Sequence, residues 1–132
     1  PLPNKQPESD FYWEKAKEHE LWLRKCNTCG DAYFYPRNIC PKCYSDDVTW
    51  IQASGKATLH AFAIVERGPI PAFREAVPYV AALVDLDEGP RMPTNIVGVE
   101  MDEAHINIGM ALEVTFEDVT EETTLPKFKP AS

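Results

Sequence analysis

Two short motifs carry the clearest chemistry in this chain: Cys26-Asn27-Thr28-Cys29-Gly30 and Cys40-Pro41-Lys42-Cys43-Tyr44. They hold all 4 of its cysteines. Two residues between ligands let one tight turn aim both thiolates at a single ion, and Gly30 suits the left-handed backbone such a turn requires. Four sulfurs match a closed tetrahedral zinc site, structural because no position is left for water or substrate. The ten-residue gap between the pairs is shorter than the usual spacing of such sites, yet it accommodates a small hairpin, with Tyr33, Phe34 and Tyr35 as strand residues. Two disulfides would require an oxidising compartment, and a redox Cys-x-x-Cys would stand alone after a βα unit. A single iron bound as in rubredoxin uses the same ligands and remains the competitor to zinc.

Other chemistry is sparse. His19 lies in a charged helix, His60 on an apolar strand face and His105 near a turn after acidic residues. No Ser, His and acid arrangement stands out by spacing, and no Gly-rich phosphate loop occurs. The basic residues cluster: Arg24, Lys25, Arg37 and Lys42 fall in or beside the cysteine segment, Arg67 and Arg74 fall in a long connection, and Arg91 follows a turn. Ordinary solubility explains any one of them. Together they suggest a ribbon and a connection facing each other across the phosphates of a ligand.

The elements that must position these residues are mainly β. Ser9 or Asp10 can cap a helix running to about Glu20. Its charges crowd the second half and its aromatics, Phe11, Tyr12 and Trp13, the first. It either packs through that aromatic end alone or docks on a partner through it. After the cysteines, Gly55 to Glu66 alternates, with Leu59, Ala61, Ala63 and Val65 on one face and His60, Phe62 and Ile64 on the other. In Pro78 to Asp87, Val80, Ala82, Val84 and Leu86 share a face, and Asp87-Glu88-Gly89-Pro90 is a strong turn. Ile96 to Met101, Ile106 to Ile108 and Ala111 to Glu117 complete five short strands, a count that suits a small OB-type barrel. The segment from Thr123 onward shows little pattern.

Composition narrows the function. The chain has 132 residues, 44% of them hydrophobic, enough for a real core. A formal net charge of -8 speaks against nucleic acid, whose binders rely on Lys and Arg. No stretch approaches the ~20 apolar residues of a membrane span, and a cytoplasmic protein is the expectation.

The order of these features resembles a known family. An aromatic-charged helix precedes Cys-x-x-Cys-Gly, Tyr35-Pro36-Arg37 and Cys40-Pro41-x-Cys43. Trp50, Gly55, Pro78-Tyr79 and Leu86-Asp87-Glu88-Gly89 follow, and then Gly109, Val114-Thr115-Phe116-Glu117 and Pro126-x-Phe128. From about Phe11 to Phe128 the chain is similar to small proteins with a rubredoxin-like zinc ribbon and an acyl-CoA-associated OB-fold, long catalogued as a domain of unknown function. Ala57 departs from a glycine often found there in that family. The resemblance implies an N-terminal segment and helix at 1–22, a ribbon at 23–50, a five-stranded OB barrel at 51–125 and a tail at 126–132. It also implies an accessory role without catalytic residues of its own. The partner would be a thiolase-like enzyme performing Claisen condensation, thiolysis, acyl transfer or retro-aldol cleavage of CoA thioesters, including in lipid and steroid breakdown. Structural zinc would sit on Cys26, Cys29, Cys40 and Cys43. Phe11, Tyr12 and Trp13 would dock the partner, and Arg24, Lys25, Arg37, Lys42, Arg67 and Arg74 could meet CoA phosphates. A single-stranded nucleic-acid binder and a free-standing acyl-CoA hydrolase or transferase are the alternatives.

Overall fold

A computed structural model describes residues 9–65, 79–100, 102, 104–121 and 123–131. The expected phosphate contacts Arg67 and Arg74 lie outside them. Among the described residues one helix, α1 (Asp10–Lys17), precedes eight strands: β1 (Trp22–Cys26), β2 (Ala32–Tyr33), β3 (Val48–Gln52), β4 (Lys56–Val65), β5 (Tyr79–Leu86), β6 (Arg91–Ile96), β7 (Ala111–Asp118) and β8 (Thr124–Pro130). The first three strands form an antiparallel sheet in the order β2-β1-β3, and the other five close a barrel in the order β4-β5-β6-β8-β7. This is the expected mainly β architecture of helix, ribbon and OB barrel.

The helix is shorter than expected. Ser9 occupies the N-cap position, but its side chain makes no capping bond. The chain leaves the helix through His19 at φ 61, and the Glu18 and His19 N–H groups bond back to Lys15 and Ala16. Tyr12, Trp13 and Ala16, at positions i, i+1 and i+4, form the buried stripe. Tyr12 and Trp13 are only 2% and 7% exposed, in one core with Leu21 and Leu23 of the ribbon side and Leu59, Val80, Val84, Met92, Leu112 and Phe128 of the barrel. The expectation that these two aromatics dock a partner is therefore corrected. Burying such rings against other side chains stabilises the fold by roughly 2 kcal/mol or more each, and inside this chain's own core they offer no surface.

In β4 the alternation changes phase part-way. Leu59 pairs with Val84 but Ala61 pairs with Leu83, so His60 is an extra, bulged residue. A bulge shifts which residues face inward. Ala57 and Leu59 are buried before it, whereas Phe62 and Ile64 pack on the core after it. Ala61, Ala63 and Val65 therefore do not continue the Leu59 face as a strict period of two requires. His60 is exposed rather than packed.

One expected strand is displaced, one is absent and one is added. Of the expected Ile96 to Met101 strand, whose last residue lies outside the described ones, residues 97–100 are not in a strand and Ile96 ends β6, which runs back to Arg91. Residues 106–108 are not a strand, although Ile106 is buried. The expected patternless tail contains β8, paired antiparallel with β7 over seven positions from Leu112↔Pro130 to Asp118↔Thr124. β8 is paired with β6, in parallel, at the single register position Ile96↔Phe128. The Phe128 carbonyl accepts from Val97 N–H and the Pro126 carbonyl from the Thr94 hydroxyl. The backbone groups of the even-numbered residues thus point to the sparsely paired β6 side. Pro126 and Pro130 sit at that parity, where their missing N–H breaks no ladder bond with β7.

Candidate metal centre and its surroundings

Each cysteine pair lies on a turn leaving a strand or loop of the small sheet. The two turns have the same backbone wiring. Cys26 N–H donates to the Asp31 carbonyl and Cys40 N–H to the Ser45 carbonyl, both at 2.9 Å. Gly30 N–H donates to the Cys26 carbonyl and Tyr44 N–H to the Cys40 carbonyl, again at 2.9 Å. Gly30 adopts φ 83 and Tyr44 φ 62. Side chains clip the turns together: Thr28 and Ser45 hydroxyls at 2.8 Å, Asn27 Nδ2 on Asp47 at 3.1 Å, and Lys42 Nζ on Asp31 at 2.7 Å.

The four Sγ atoms lie within 4.8 Å of one another. Cys26 and Cys43 sulfurs are 3.5 Å apart and Cys29 and Cys40 sulfurs 3.7 Å apart. A tetrahedron with metal–sulfur bonds of about 2.3 Å has edges of about 3.8 Å, so the four residues fit one thiolate-bound ion. Cys26 and Cys40 are buried, Cys29 and Cys43 exposed. The backbone N–H of Cys29, 3.4 Å from Cys26 Sγ, lowers that thiol to about 6. The Cys43 N–H likewise lowers Cys40. Cys43 accepts from the Ser45 N–H, yet neighbouring sulfurs and burial push it up to about 11. Without a cation, four sulfurs at these distances cannot all be thiolates, and a bound divalent ion removes that conflict.

The basic residues expected to meet phosphates have divided roles. Arg24 is buried, 8% exposed. Its guanidinium lies 4.6 Å from the Trp50 ring centre, while Nη2 reaches Asn38 at 3.2 Å and Nε the Arg37 carbonyl at 3.4 Å. It anchors the loop between the cysteine pairs and does not face solvent. Tyr33 donates its hydroxyl to the same Arg37 carbonyl. Lys42 is held by Asp31. Lys25 and the Arg37 side chain are exposed. Phe11 stands outside the core as part of a half-buried aromatic set, 5.3 Å from Trp22 and 4.7 Å from Trp50 between ring centres.

The histidines do not converge. His19 stacks on Phe116 and meets Asp118 at 3.1 Å. His60 Nδ1 lies 3.5 Å from Asp85, which Arg91 also holds at 2.8 Å. His105 Nδ1 bonds Asp102 at 2.7 Å; that carboxylate raises the His105 pKa, and the imidazole lowers that of Asp102. These are three separate surface pairs. Sequence reading passed over Tyr44, whose signal was its position: it follows the second cysteine pair where glycine follows the first.

Comparison with known proteins agrees with this geometry. Residues 13–49 match the rubredoxin-like zinc ribbon domain of ChsH2, and residues 50–117 match the ChsH2 C-terminal OB-fold domain. The chain belongs to the ChsH2 family. The OB-fold match ends before β8, so the strand that completes the barrel lies beyond the matched segment. Among relatives, a probable enoyl-CoA hydratase alpha subunit of Thermomonospora curvata is 36% identical over 131 residues, 99% of this chain but 40% of that protein. The chain thus spans less than half the length of that relative. A DUF35 domain-containing scaffold protein of Methanothermobacter thermautotrophicus is 36% identical over 107 residues, covering 80% of this chain and 78% of that protein. Among solved structures, a chain of one described as an Ltp2-ChsH2(DUF35) aldolase superposes with a TM-score of 0.85 at 35% identity, covering 99% of this chain and 100% of that one.

Proposed function

We propose that this chain is a noncatalytic accessory subunit. It binds a thiolase-like enzyme that carries out carbon–carbon chemistry on CoA thioesters, retro-aldol cleavage first among the reactions. The single observation that carries the reading is the end-to-end match to a chain of the Ltp2-ChsH2(DUF35) aldolase structure. The hydratase subunit name of the longer relative supports CoA thioesters as the substrate class, and the scaffold name of the archaeal relative supports a role in assembly.

In this reading zinc occupies Cys26, Cys29, Cys40 and Cys43 and supplies a fixed cross-link rather than reaction chemistry. The cross-link holds the loop of residues 30–39, and through Arg24 and Trp50 it braces the ribbon sheet on which Phe11 rests. Lys25 and Arg37 are the ribbon cations available to CoA phosphates, because Arg24 and Lys42 have partners within the chain.

Co-expression with thiolase-like enzymes of the same genome tests this. The expected result is a stable hetero-oligomer on size exclusion, with turnover of a β-hydroxyacyl- or β-ketoacyl-CoA that depends on both chains. A chain that elutes alone beside every such enzyme at micromolar concentration would sink the proposal. So would acyl-CoA turnover by the isolated chain, since that supports the free-standing enzyme instead.

A further inference from the structure

The two cysteine turns are wired alike except at one residue. Both need a left-handed backbone at the position after the second cysteine. The first has Gly30 there, and a Cβ added to Gly30 would meet nothing within 4 Å, so steric room does not dictate glycine. The second turn has Tyr44 at φ 62. An L-residue in this region is strained by its Cβ, and a bulky aromatic gains nothing local to offset that. Nor does packing offset it: Tyr44 is 80% exposed, the most exposed of the large hydrophobic side chains among the described residues. Ile39, on the other side of the same turn, is 52% exposed. The bond from Cys40 N–H to the Ser45 carbonyl closes the turn at 2.9 Å, with Ile39 just before the closed turn and Tyr44 at its end. Strain kept at an exposed position points to a use of the side chain.

We infer that Tyr44, with the exposed Ile39 just before the same turn, is the anchor by which the metal turn docks on the partner enzyme. This rests on the accessory-subunit reading above. The occupant it requires is a partner pocket that is apolar inside and rimmed by Lys or Arg. Tyr44 is followed by Ser45-Asp46-Asp47, and both aspartates are exposed. The nearby cation Lys42 is already paired with Asp31. The rim around the ring is therefore acidic, on a chain of net charge -8. A second copy would bring the same acidic rim to the contact, whereas a basic-rimmed pocket complements it. Tyrosine suits the role, being prominent among the few residues that dominate interface energetics. The metal then has a second consequence: by fixing the turn, it holds the ring ready and lowers the ordering cost of binding.

Tyr44→Gly separates this role from folding, because it removes the ring and relieves the backbone at once. The full chain and its Tyr44→Gly, Tyr44→Ala and Asp46→Lys variants are titrated against the purified thiolase-like enzyme that binds the unaltered chain, by calorimetry. Metal content and melting temperature are recorded for each. The expected result is at least a tenfold weaker complex for both Tyr44 variants, with metal retained and the melting temperature of Tyr44→Gly unchanged or raised. Asp46→Lys should weaken the complex and flatten the salt dependence of its affinity. If Tyr44→Gly binds as tightly as the unaltered chain, the inference is overturned while the accessory-subunit reading stands. If no thiolase-like enzyme binds the unaltered chain, that reading fails first and this inference with it. Self-association of the unaltered chain that Tyr44→Gly abolishes would name a second copy as the occupant and overturn it too.

Discussion

Replacing Gly55 with alanine tests how the barrel closes. Gly55 precedes β4 at φ +84, and an added Cβ would stand 2.6 Å from Cγ1 of Val114 in β7. The Val114 N–H donates to the Gly55 carbonyl at 2.7 Å, so the two strands are pinned at the point of contact and cannot part without losing that bond. Two costs add. A Cβ in the left-handed region costs about 1 kcal/mol, and overpacking a tight site about 1–3 kcal/mol, for a total of roughly 2–4 kcal/mol. For a chain of this size each kcal/mol moves the midpoint by about 3–4 °C, so a drop near 10 °C is expected. Gly109→Ala is the control: its φ is +87 but its Cβ would meet nothing within 4 Å, so it should show the conformational part alone, about 1 kcal/mol. Urea unfolding followed by tryptophan fluorescence measures both. Val114→Ala in the Gly55→Ala background should recover part of the loss, giving a coupling of about 1 kcal/mol in a double-mutant cycle. Equal losses for Gly55→Ala and Gly109→Ala, or additivity with Val114→Ala, would refute the close-approach argument.

Other consequences are equally direct. Chelation of the metal should melt the ribbon, because binding and folding of such a site are one equilibrium; circular dichroism and the environment of Trp22 and Trp50 would report it, and an unchanged spectrum after complete metal removal would contradict it. Phe128→Ala, at a fully buried ring between β7 and β6, should cost about 3–5 kcal/mol in urea unfolding. Arg24→Lys should cost about 1–2 kcal/mol despite keeping the charge, since an ammonium cannot both stack on Trp50 and bridge to Asn38 and the Arg37 carbonyl. The Asp102–His105 pair sets a pH window. Asp102 is lowered from 3.8, so its contribution fades as pH falls through the lowered value; His105 is raised from 6.5, so its contribution is complete below 6.5 and fades as pH rises through the raised value. The pair should hold the 102–105 turn best between those limits, with the His105 imidazole titrating above 6.5 by NMR and returning toward it in Asp102→Asn.

The sequence by itself determined the features whose cause is local. Four cysteines in two close pairs define a tetrahedral site because two intervening residues suffice to aim both sulfurs. The alternation Val80, Ala82, Val84, Leu86 defines an inward face because a strand has period two, and Asp87-Glu88-Gly89-Pro90 defines its end. Tertiary structure decided whatever depends on what lies opposite. The alternation in β4 looks continuous, but the partner strand places a bulge at His60 and exchanges its faces. β8 is hidden behind Pro126 and Pro130, which mark a non-strand until the open side next to β6 makes their missing N–H groups harmless. β6 starts five residues before the apolar run that suggested it, because pairing with β5 outweighs the weak propensity of Pro93 and Asn95. Tyr12 and Trp13 have the look of a docking end, yet the barrel wall supplies the surface that covers them. Tyr44, one residue past the cysteines, is the reverse case: none of the described residues covers it, and only the backbone angle it shares with Gly30 shows that its place was one for glycine.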